Sequence, residues 1–293
     1  MTESLETRFQ SLTVTRGHPV QETLCRKRAA TGNPDESEAK EKPSTLQDPY
    51  KMDNNPHGYC VILNNSNFTN PNETRSGSDK DAAALKNIFE QLQFKTIVYP
   101  NLEAKQIHEM MQEFSSMDHN NMDCFVCCLL SHGDKGIVKG TDWKPAPIKD
   151  LVSCFTGSKC PSLANKPKLF FIQACQGEVG QTSVQVEADF CGDLDADAVP
   201  LPSIPDWADI LIGMATVEDF ECYRHREKGS VYIQCLCREM ESLCPRRVDL
   251  LTILTQVNKE VGEKAFYRKK QMPEIKSTLR KQLIFPVPAT LEN

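Results

Sequence analysis

Apolar residues in this chain fall into short continuous runs separated by stretches with helical spacing. Tyr59-Cys60-Val61-Ile62-Leu63 is the first run and predicts a buried strand over 59–63. The polar stretch 64–79 follows. Ala84, Leu85, Ile88, Phe89 and Leu92 then share one helical face, predicting a helix over about 81–92 with Ser78 or Asp79 as its cap. A short strand over 96–99 comes next. Ile107, Met110, Met111 and Phe114 line one face of a second helix over 104–117. The third strand run, Cys124-Phe125-Val126-Cys127-Cys128-Leu129-Leu130, leads to Ser131-His132-Gly133 and is read as ending at His132. A glycine-bounded excursion over 136–140 leads to a short helix near 148–155. The fourth strand, 169–172, delivers Ala174-Cys175-Gln176-Gly177. The acidic, proline-containing stretch 178–205 has no periodicity, and a loop of that length inside a domain is usually functional or disordered. A fifth strand over 210–217, helices over about 230–244 and 249–264, and a last apolar strand over 279–287 complete the pattern.

Strands alternating with helices imply parallel pairing through crossover connections, hence an α/β fold. Ligands bind such sheets outside the carboxyl ends of the strands. Arg75 follows strand one, His132 ends strand three, Cys175 ends strand four and Arg224 follows strand five. One edge of one sheet therefore collects a thiol, an imidazole and two guanidinium groups.

Composition changes this picture little. The chain has 293 residues, a formal net charge of −6 and 25% charged residues, which argues against a nucleic-acid footprint. No apolar run approaches the ~20 residues of a membrane span. Residues 1–53 mix charge with breakers and are expected to be a disordered tail. The polar start, without an apolar stretch, is not expected to act as a signal peptide. Thirteen cysteines, several inside strand runs, indicate a reducing, cytoplasmic compartment. Cys124, Cys127 and Cys128 belong to core packing rather than to a metal knuckle, and neither metal nor cofactor is expected. A nucleotide-binding reading fails because no glycine-rich loop follows a strand. Taken singly, His132 would be a structural histidine and either arginine a solvated one; their shared edge carries the argument. His57 and His119 are read as surface residues, 268–270 as a solvated basic loop, and Trp143 and Trp207 as covers of apolar surface.

A cysteine attacks as thiolate, and a nearby imidazole favours that form or takes its proton. His132 would then protonate a leaving amine. The backbone N–H groups of Cys175 and Gly133 suit a developing oxyanion. Arg75 and Arg224 offer charge-assisted recognition of a carboxylate, with the Gln173 amide beside them. The chemistry reads as peptide hydrolysis after Asp.

Gln173-Ala174-Cys175-Gln176-Gly177, with Ser131-His132-Gly133 upstream, resembles the caspase signature. From about Gly58 onward the chain is similar to a caspase catalytic domain, most of all to the initiator caspases eight and ten. Ser131-His132-Gly133-Asp134-Lys135-Gly136, Met117-Asp118-His119, Ile204-Pro205-Asp206 and Gly213-Met214-Ala215-Thr216-Val217 carry that likeness. The resemblance implies a three-layer sandwich, a mostly parallel six-stranded sheet with helices on both faces. It implies a catalytic domain over 54–293, with a large subunit over about 54–189, a linker over about 178–205 and a small subunit over about 198–293.

The resemblance further implies Cys175 as nucleophile, His132 as its partner and Gly133 as oxyanion donor. Arg75, Gln173, Arg224 and Tyr223 become the substrate-binding residues. A main-chain carbonyl, from Glu73 or Thr74, is expected to orient His132. Self-cleavage is expected after Asp189 and Asp197, where the linker carries Val186-Glu187-Ala188-Asp189 and Leu194-Asp195-Ala196-Asp197. Asp48 is a poor site because Pro49 follows it. Protein substrates with Asp before the cut bond are the implied partners. So is a dimer with a second copy or with another caspase, paired through the edge at 279–287, where Phe285 is the chosen probe. The implied setting is programmed cell death or related signalling.

Two departures stand out. Val231 occupies a position where the family usually has an aromatic. The first fifty residues are too few for a death-effector domain. The competing reading is a caspase-like scaffold that regulates another caspase without cutting, which loss of Cys175, His132 or a pocket arginine would mark; all are present.

Overall fold

The computed structural model describes residues 48–177, 204–265 and 269–287. The chain opens its sheet with β1 (Gly58–Asn64), which is buried almost throughout. Helix α1 (Ser78–Gln91) returns to β2 (Phe94–Pro100), and α2 (Ala104–Ser116) to β3 (Cys124–Leu130). Three short strands follow as an antiparallel sheet: β4 (Gly133–Asp134), β5 (Ile137–Lys139) and β6 (Pro145–Pro147). Helix α3 (Ile148–Ser153) leads to β7 (Lys168–Gln173), and β8 (Ile210–Met214) lies parallel beside it. A small hairpin pairs β9 (Arg224–His225) with β10 (Gly229–Ser230). Helices α4 (Val231–Leu243) and α5 (Leu250–Glu263) precede β11 (Glu274–Ser277).

The main sheet has six strands in the order β11-β8-β7-β3-β1-β2, all parallel except β11. Alternate residues of the buried strands feed opposite cores, as the period of two requires. Val61, Leu63, Phe125, Leu129, Phe170 and Ile172 pack with α2 and α3. Cys60, Ile62, Val126, Cys128, Leu169 and Phe171 pack with α1, α4 and α5. The result is the expected three-layer α/β sandwich. Among the described residues no helix is long and apolar enough to cross a membrane.

Several elements differ from their sequence reading. Strand β3 stops at Leu130, leaving Ser131 and His132 in the loop, and β8 stops at Met214. Neither Ser78 nor Asp79 caps α1. The Ser78 hydroxyl accepts from Arg75 and donates to Asn64, whose amide donates to Asp79. Gly77 takes the cap position instead, at φ +87°, where a Cβ would lie 2.5 Å from the His225 carbonyl oxygen. That close approach lets the α1 turn and the β9–β10 hairpin meet.

The apolar stretch 279–287 is not a strand. Leu283 and Phe285 are buried in the core, with the Phe285 ring edge-on to Phe94 at 5.8 Å. Its backbone groups are met one at a time: Tyr50 N–H donates to the Gln282 carbonyl and Leu250 N–H to that of Leu283. A continuous apolar run reports burial, not pairing. The edge strand is the polar Glu274–Ser277. His57 and His119 are not surface residues either. His57 sits 3.2 Å from Asp123, and His119 Nε2 donates to the Phe114 carbonyl at 2.7 Å. Tyr50 and Met52, ahead of residue 54, are buried in the same core. Lys270 caps the end of α5 through the Gly262 and Glu263 carbonyls, and Lys269 pairs with Glu221.

Candidate active site

The ends of β1, β3 and β7 lie side by side, with Asn64 opposite Leu130 and Leu130 opposite Gln173. Everything that follows those residues is therefore delivered to one edge. Gln176 fastens the edge together: its side chain accepts from the Gly136 amide and donates to the Cys175 carbonyl, both at 3.0 Å. Gly133 touches the Cys175 segment directly, since a Cβ on it would lie 2.8 Å from both Ala174 Cβ and the Cys175 carbonyl oxygen. The loop bearing His132 and the residue bearing the thiol are thus neighbours that leave no room for a side chain at 133.

His132 is held in one orientation. Its Nε2 donates to the Glu73 carbonyl at 2.9 Å, which selects Glu73 over Thr74 as the orienting carbonyl. Phe68 stands edge-on to the imidazole at 4.8 Å, and Trp143 stacks on it at 5.3 Å and 21°. A neutral ring protonated at Nε2 presents Nδ1 as an acceptor. Burial lowers the imidazole pKa, and the charges of Arg75 and Arg224 lower it further against the Glu73 carbonyl, so the neutral form dominates at neutral pH.

Cys175 is half-buried, and its closest polar neighbour is a second thiol: its Sγ lies 3.7 Å from Cys222 Sγ. A hydrogen bond from Cys222 holds the Cys175 pKa down at about 6 despite burial, while the same contact pushes Cys222 well above the usual thiol range. Cys175 is the thiolate of the pair at neutral pH. The core cysteines behave oppositely: Cys60, Cys124, Cys127 and Cys128 are fully buried, and their pKa values are all raised by burial.

The two arginines meet beside this thiol. Arg75 is buried and donates from Nη1 to the Asn65 carbonyl at 3.1 Å and Ser78 Oγ at 2.7 Å. Nη2 reaches the Gln173 carbonyl at 3.5 Å. Arg224, on β9, donates from Nε to the Ser76 carbonyl at 2.9 Å. Asp81 fixes the hairpin that carries Arg224, because its carboxylate accepts from Ser230 N and Gln234 Nε2, each at 2.8 Å. Burial, and then the charge of Arg224, pulls the Arg75 pKa down to about 9. Arg75 Nε and Gln173 Oε1 are buried without a hydrogen-bond partner among the described residues. Gln173 Nε2 is engaged elsewhere, on Cys222 Sγ at 2.9 Å. The hydrogen bonds that Arg75 and Arg224 make all go to neutral acceptors, and the Asp81 carboxylate nearby is taken up by Ser230 and Gln234, so two close cations leave room for an anion.

Tyr223, between Cys222 and Arg224, is half-buried, and its hydroxyl donates to Glu221 at 3.3 Å. Beyond Arg224 opens a groove of about 760 Å³ lined in part by Tyr223, Val231, Lys228, Lys264 and Lys269. Asp189 and Asp197 lie outside the described residues. The sequence reading brought Cys175, His132, Gly133, Arg75, Gln173 and Arg224 to one edge, and the structure places them there. It missed Phe68, Trp143, Gln176 and Cys222. For Cys222 a signal existed: in an extended segment, residues two apart share a face, so Cys222 faces the same way as Arg224.

A family model described as "Caspase domain" matches residues 57–284. The chain is 48% identical over 252 residues to caspase-8 of Mus musculus, covering 81% of this chain and 52% of that protein. It is 43% identical over 203 residues to caspase-10 of Homo sapiens, covering 69% and 39%. It is 38% identical over 251 residues to caspase-3 of Bos taurus, covering 82% and 89%. This chain therefore belongs to the caspase family. It spans about half the length of the caspase-8 it matches.

Proposed function

We propose that the chain is a cysteine endopeptidase that cuts peptide bonds after Asp, acting in the cytoplasm in programmed cell death or related signalling. The observation that carries this reading is the pair of guanidinium groups beside Cys175, Arg75 buried and Arg224 half-buried. Arg75 is surrounded by neutral acceptors, and its Nε and Gln173 Oε1 have no hydrogen-bond partner among the described residues. A substrate carboxylate would complete both arginines, while a lysine or neutral side chain would leave two desolvated charges unpaired.

The arrangement of His132, Gly133 and Cys175 supports the following reaction. The Cys175 thiolate attacks the carbonyl carbon on the C-terminal side of the bound Asp. Negative charge gathers on the carbonyl oxygen, where the N–H groups of Gly133 and Cys175 are the donors. His132, neutral in the resting site, takes a proton from solvent at its free Nδ1, and the C–N bond breaks as the imidazolium so formed gives that proton to the departing amine. Water then attacks the thioester, His132 takes a proton from it, and Cys175 leaves as thiolate. Cationic Lys228 and Lys264 around the adjoining groove favour acidic residues N-terminal to the cut position, and Val231 puts a small side chain on its wall.

Activation by dimerisation and by cleavage in the linker belongs to the same proposal. Strand β11 pairs only with β8 among the described residues, so its outer edge is open to a second copy or to another caspase. The test uses peptides differing only at the residue before the cut, with Asp, Glu or Asn there, and an electrophilic aspartyl peptide read by mass spectrometry. Cleavage confined to Asp with labelling at Cys175 supports the reading. A chain that binds the probe reversibly, without labelling or turnover, would instead be a scaffold.

A further inference from the structure

In the hydrolysis just described Cys222 forms and breaks no covalent bond and only donates a hydrogen bond to the nucleophile, yet its sulfur lies 3.7 Å from the nucleophile's and both residues are half-buried rather than sealed in the core. Their backbones are tied to each other. Gln176 N–H donates to the Phe220 carbonyl at 3.0 Å, and Asp219 N–H donates to the Gln176 carbonyl at 2.8 Å. Gly177 packs so closely that a Cβ there would lie 2.4 Å from Asp219 backbone atoms. The two cysteine-bearing segments therefore run side by side, and the two sulfurs already face each other across a gap that a disulfide of ~2.05 Å would close.

We propose that Cys175 and Cys222 form a reversible peroxide-responsive disulfide, with Cys222 as the resolving thiol. The first step is attack of the Cys175 thiolate on a hydroperoxide. The O–O bond breaks, the sulfur is oxidised to the sulfenic acid, and the peroxide leaves as hydroxide or alkoxide. In the second step the Cys222 sulfur attacks the sulfenic sulfur, the S–O bond breaks, and water carries away the oxygen with the Cys222 proton. A dithiol reductant reverses the bond by exchange. The proton arrangement suits this division of labour, because Cys175 is the thiolate and Cys222 keeps its proton until it is needed. The bond removes the attacking sulfur and takes Cys222 Sγ from Gln173 Nε2. Only the consequence, loss of cleavage, rests on the proposed protease activity; the crosslink is read by mass alone.

The chain offers no lysine or arginine between Lys168 and Arg224, so trypsin leaves Cys175, Cys191 and Cys222 on one peptide. Trypsin with a glutamate-specific protease separates them onto 169–178, 188–218 and 222–224. The purified chain is treated with a few equivalents of hydrogen peroxide, alkylated without reduction and digested. The expected result is peptide 169–178 linked to 222–224, and its disappearance after dithiothreitol together with recovery of labelling at Cys175. In Cys222→Ser the link is absent, dimedone captures Cys175 as sulfenic acid, and further peroxide drives it to the sulfinic form at least several-fold faster than in wild type. The wild-type linkage needs no variant to fold. A Cys175 link to 188–218 or to the peptide holding Cys25 overturns the proposal. So does oxidation of Cys175 to sulfinic acid at the same rate with and without Cys222.

Discussion

His132 Nε2 lies 2.9 Å from the carbonyl oxygen of Glu73, so the orientation of the imidazole is set by a backbone atom that no side-chain replacement can remove. Glu73→Ala is therefore expected to keep peptide cleavage within about twofold of wild type. His132→Ala should lower kcat by 10²-fold or more, the scale of a lost general acid–base group. The small remainder reflects the intrinsic nucleophilicity of a thiolate. A large loss in Glu73→Ala would show that its carboxylate, not its carbonyl, is the working group.

A thiolate held at about 6 makes a pH prediction with a definite sign. Below that value Cys175 is protonated and slow; above it the rate of alkylation by iodoacetamide reaches a plateau. Removing the Cys222 donor takes away the leading cause of the depression, while burial, which raises the value, remains. Cys222→Ala should move the midpoint upward, toward or past the ordinary ~8.5 of a free cysteine. Stopped alkylation followed by mass spectrometry across pH 4–10 measures it. A midpoint that stays near 6 in the variant would assign the depression to the arginines instead.

The paired guanidiniums predict specificity. Arg75→Ala or Arg224→Ala should raise the barrier for cleavage after Asp by about 2–5 kcal/mol, as for truncation of one partner of a desolvated charge pair. Arg75→Lys should not rescue, because one ammonium cannot reproduce the bonds now made to Asn65, Ser78 and Gln173. In wild type an Asn substrate should lose most of its kcat/KM. Equal turnover of Asp and Asn peptides would refute the pocket.

How far the sequence could be read follows from which interactions each residue makes. Strands β1, β3 and β7 are buried on both faces, so their apolar runs are continuous and their ends mark the site. Once those three are parallel neighbours, Arg75, His132, Gly133 and Cys175 fall together without further information. Strand β11 could not be seen, because Glu274-Ile275-Lys276-Ser277 is polar and becomes a strand only through β8 beside it. His57 and His119 misled because nothing local announces Asp123 or the Phe114 carbonyl as partners. The pair of Cys175 with Cys222 depends on a loop crossing between distant segments, which spacing alone does not report.

Assembly is tested at the edge and not at Phe285. Phe285→Asp places a carboxylate in the core beside Phe94 and should cost about 3 kcal/mol or more of stability, visible as a lowered Tm whatever the oligomeric state. The Thr278 amide bonds to Ile210 of β8, so by ladder alternation the amide of Ser277 points to the open side. Ser277→Pro blocks that edge at an exposed position without removing a bond to β8. Sedimentation should show a folded monomer of low activity. A dimeric, active Ser277→Pro chain would remove β11 as the interface.

The acidic sequence connecting β7 and β8 offers the chain as a substrate to itself. An Asp-selective protease can act on its own chain wherever an accessible aspartate can enter the site. Val186-Glu187-Ala188-Asp189 and Leu194-Asp195-Ala196-Asp197 supply such aspartates, the second followed by the small Ala198. Cutting there would separate a piece bearing His132 and Cys175 from one bearing Arg224. The pieces should remain together, because β7 and β8 pair from Lys168–Ile210 to Ile172–Met214 and Gln176 bonds to Phe220 across the division. Concentrated purified chain should yield new N-termini at Phe190 or Ala198, with both fragments co-migrating on a native column. Cys175→Ala should stay intact under the same conditions, and Asp189→Ala with Asp197→Ala should block the cut while the single-chain form keeps its thiolate. If the active wild type is never cut between Glu178 and Asp206, the connection is a passive solvated linker and activation must come from assembly alone.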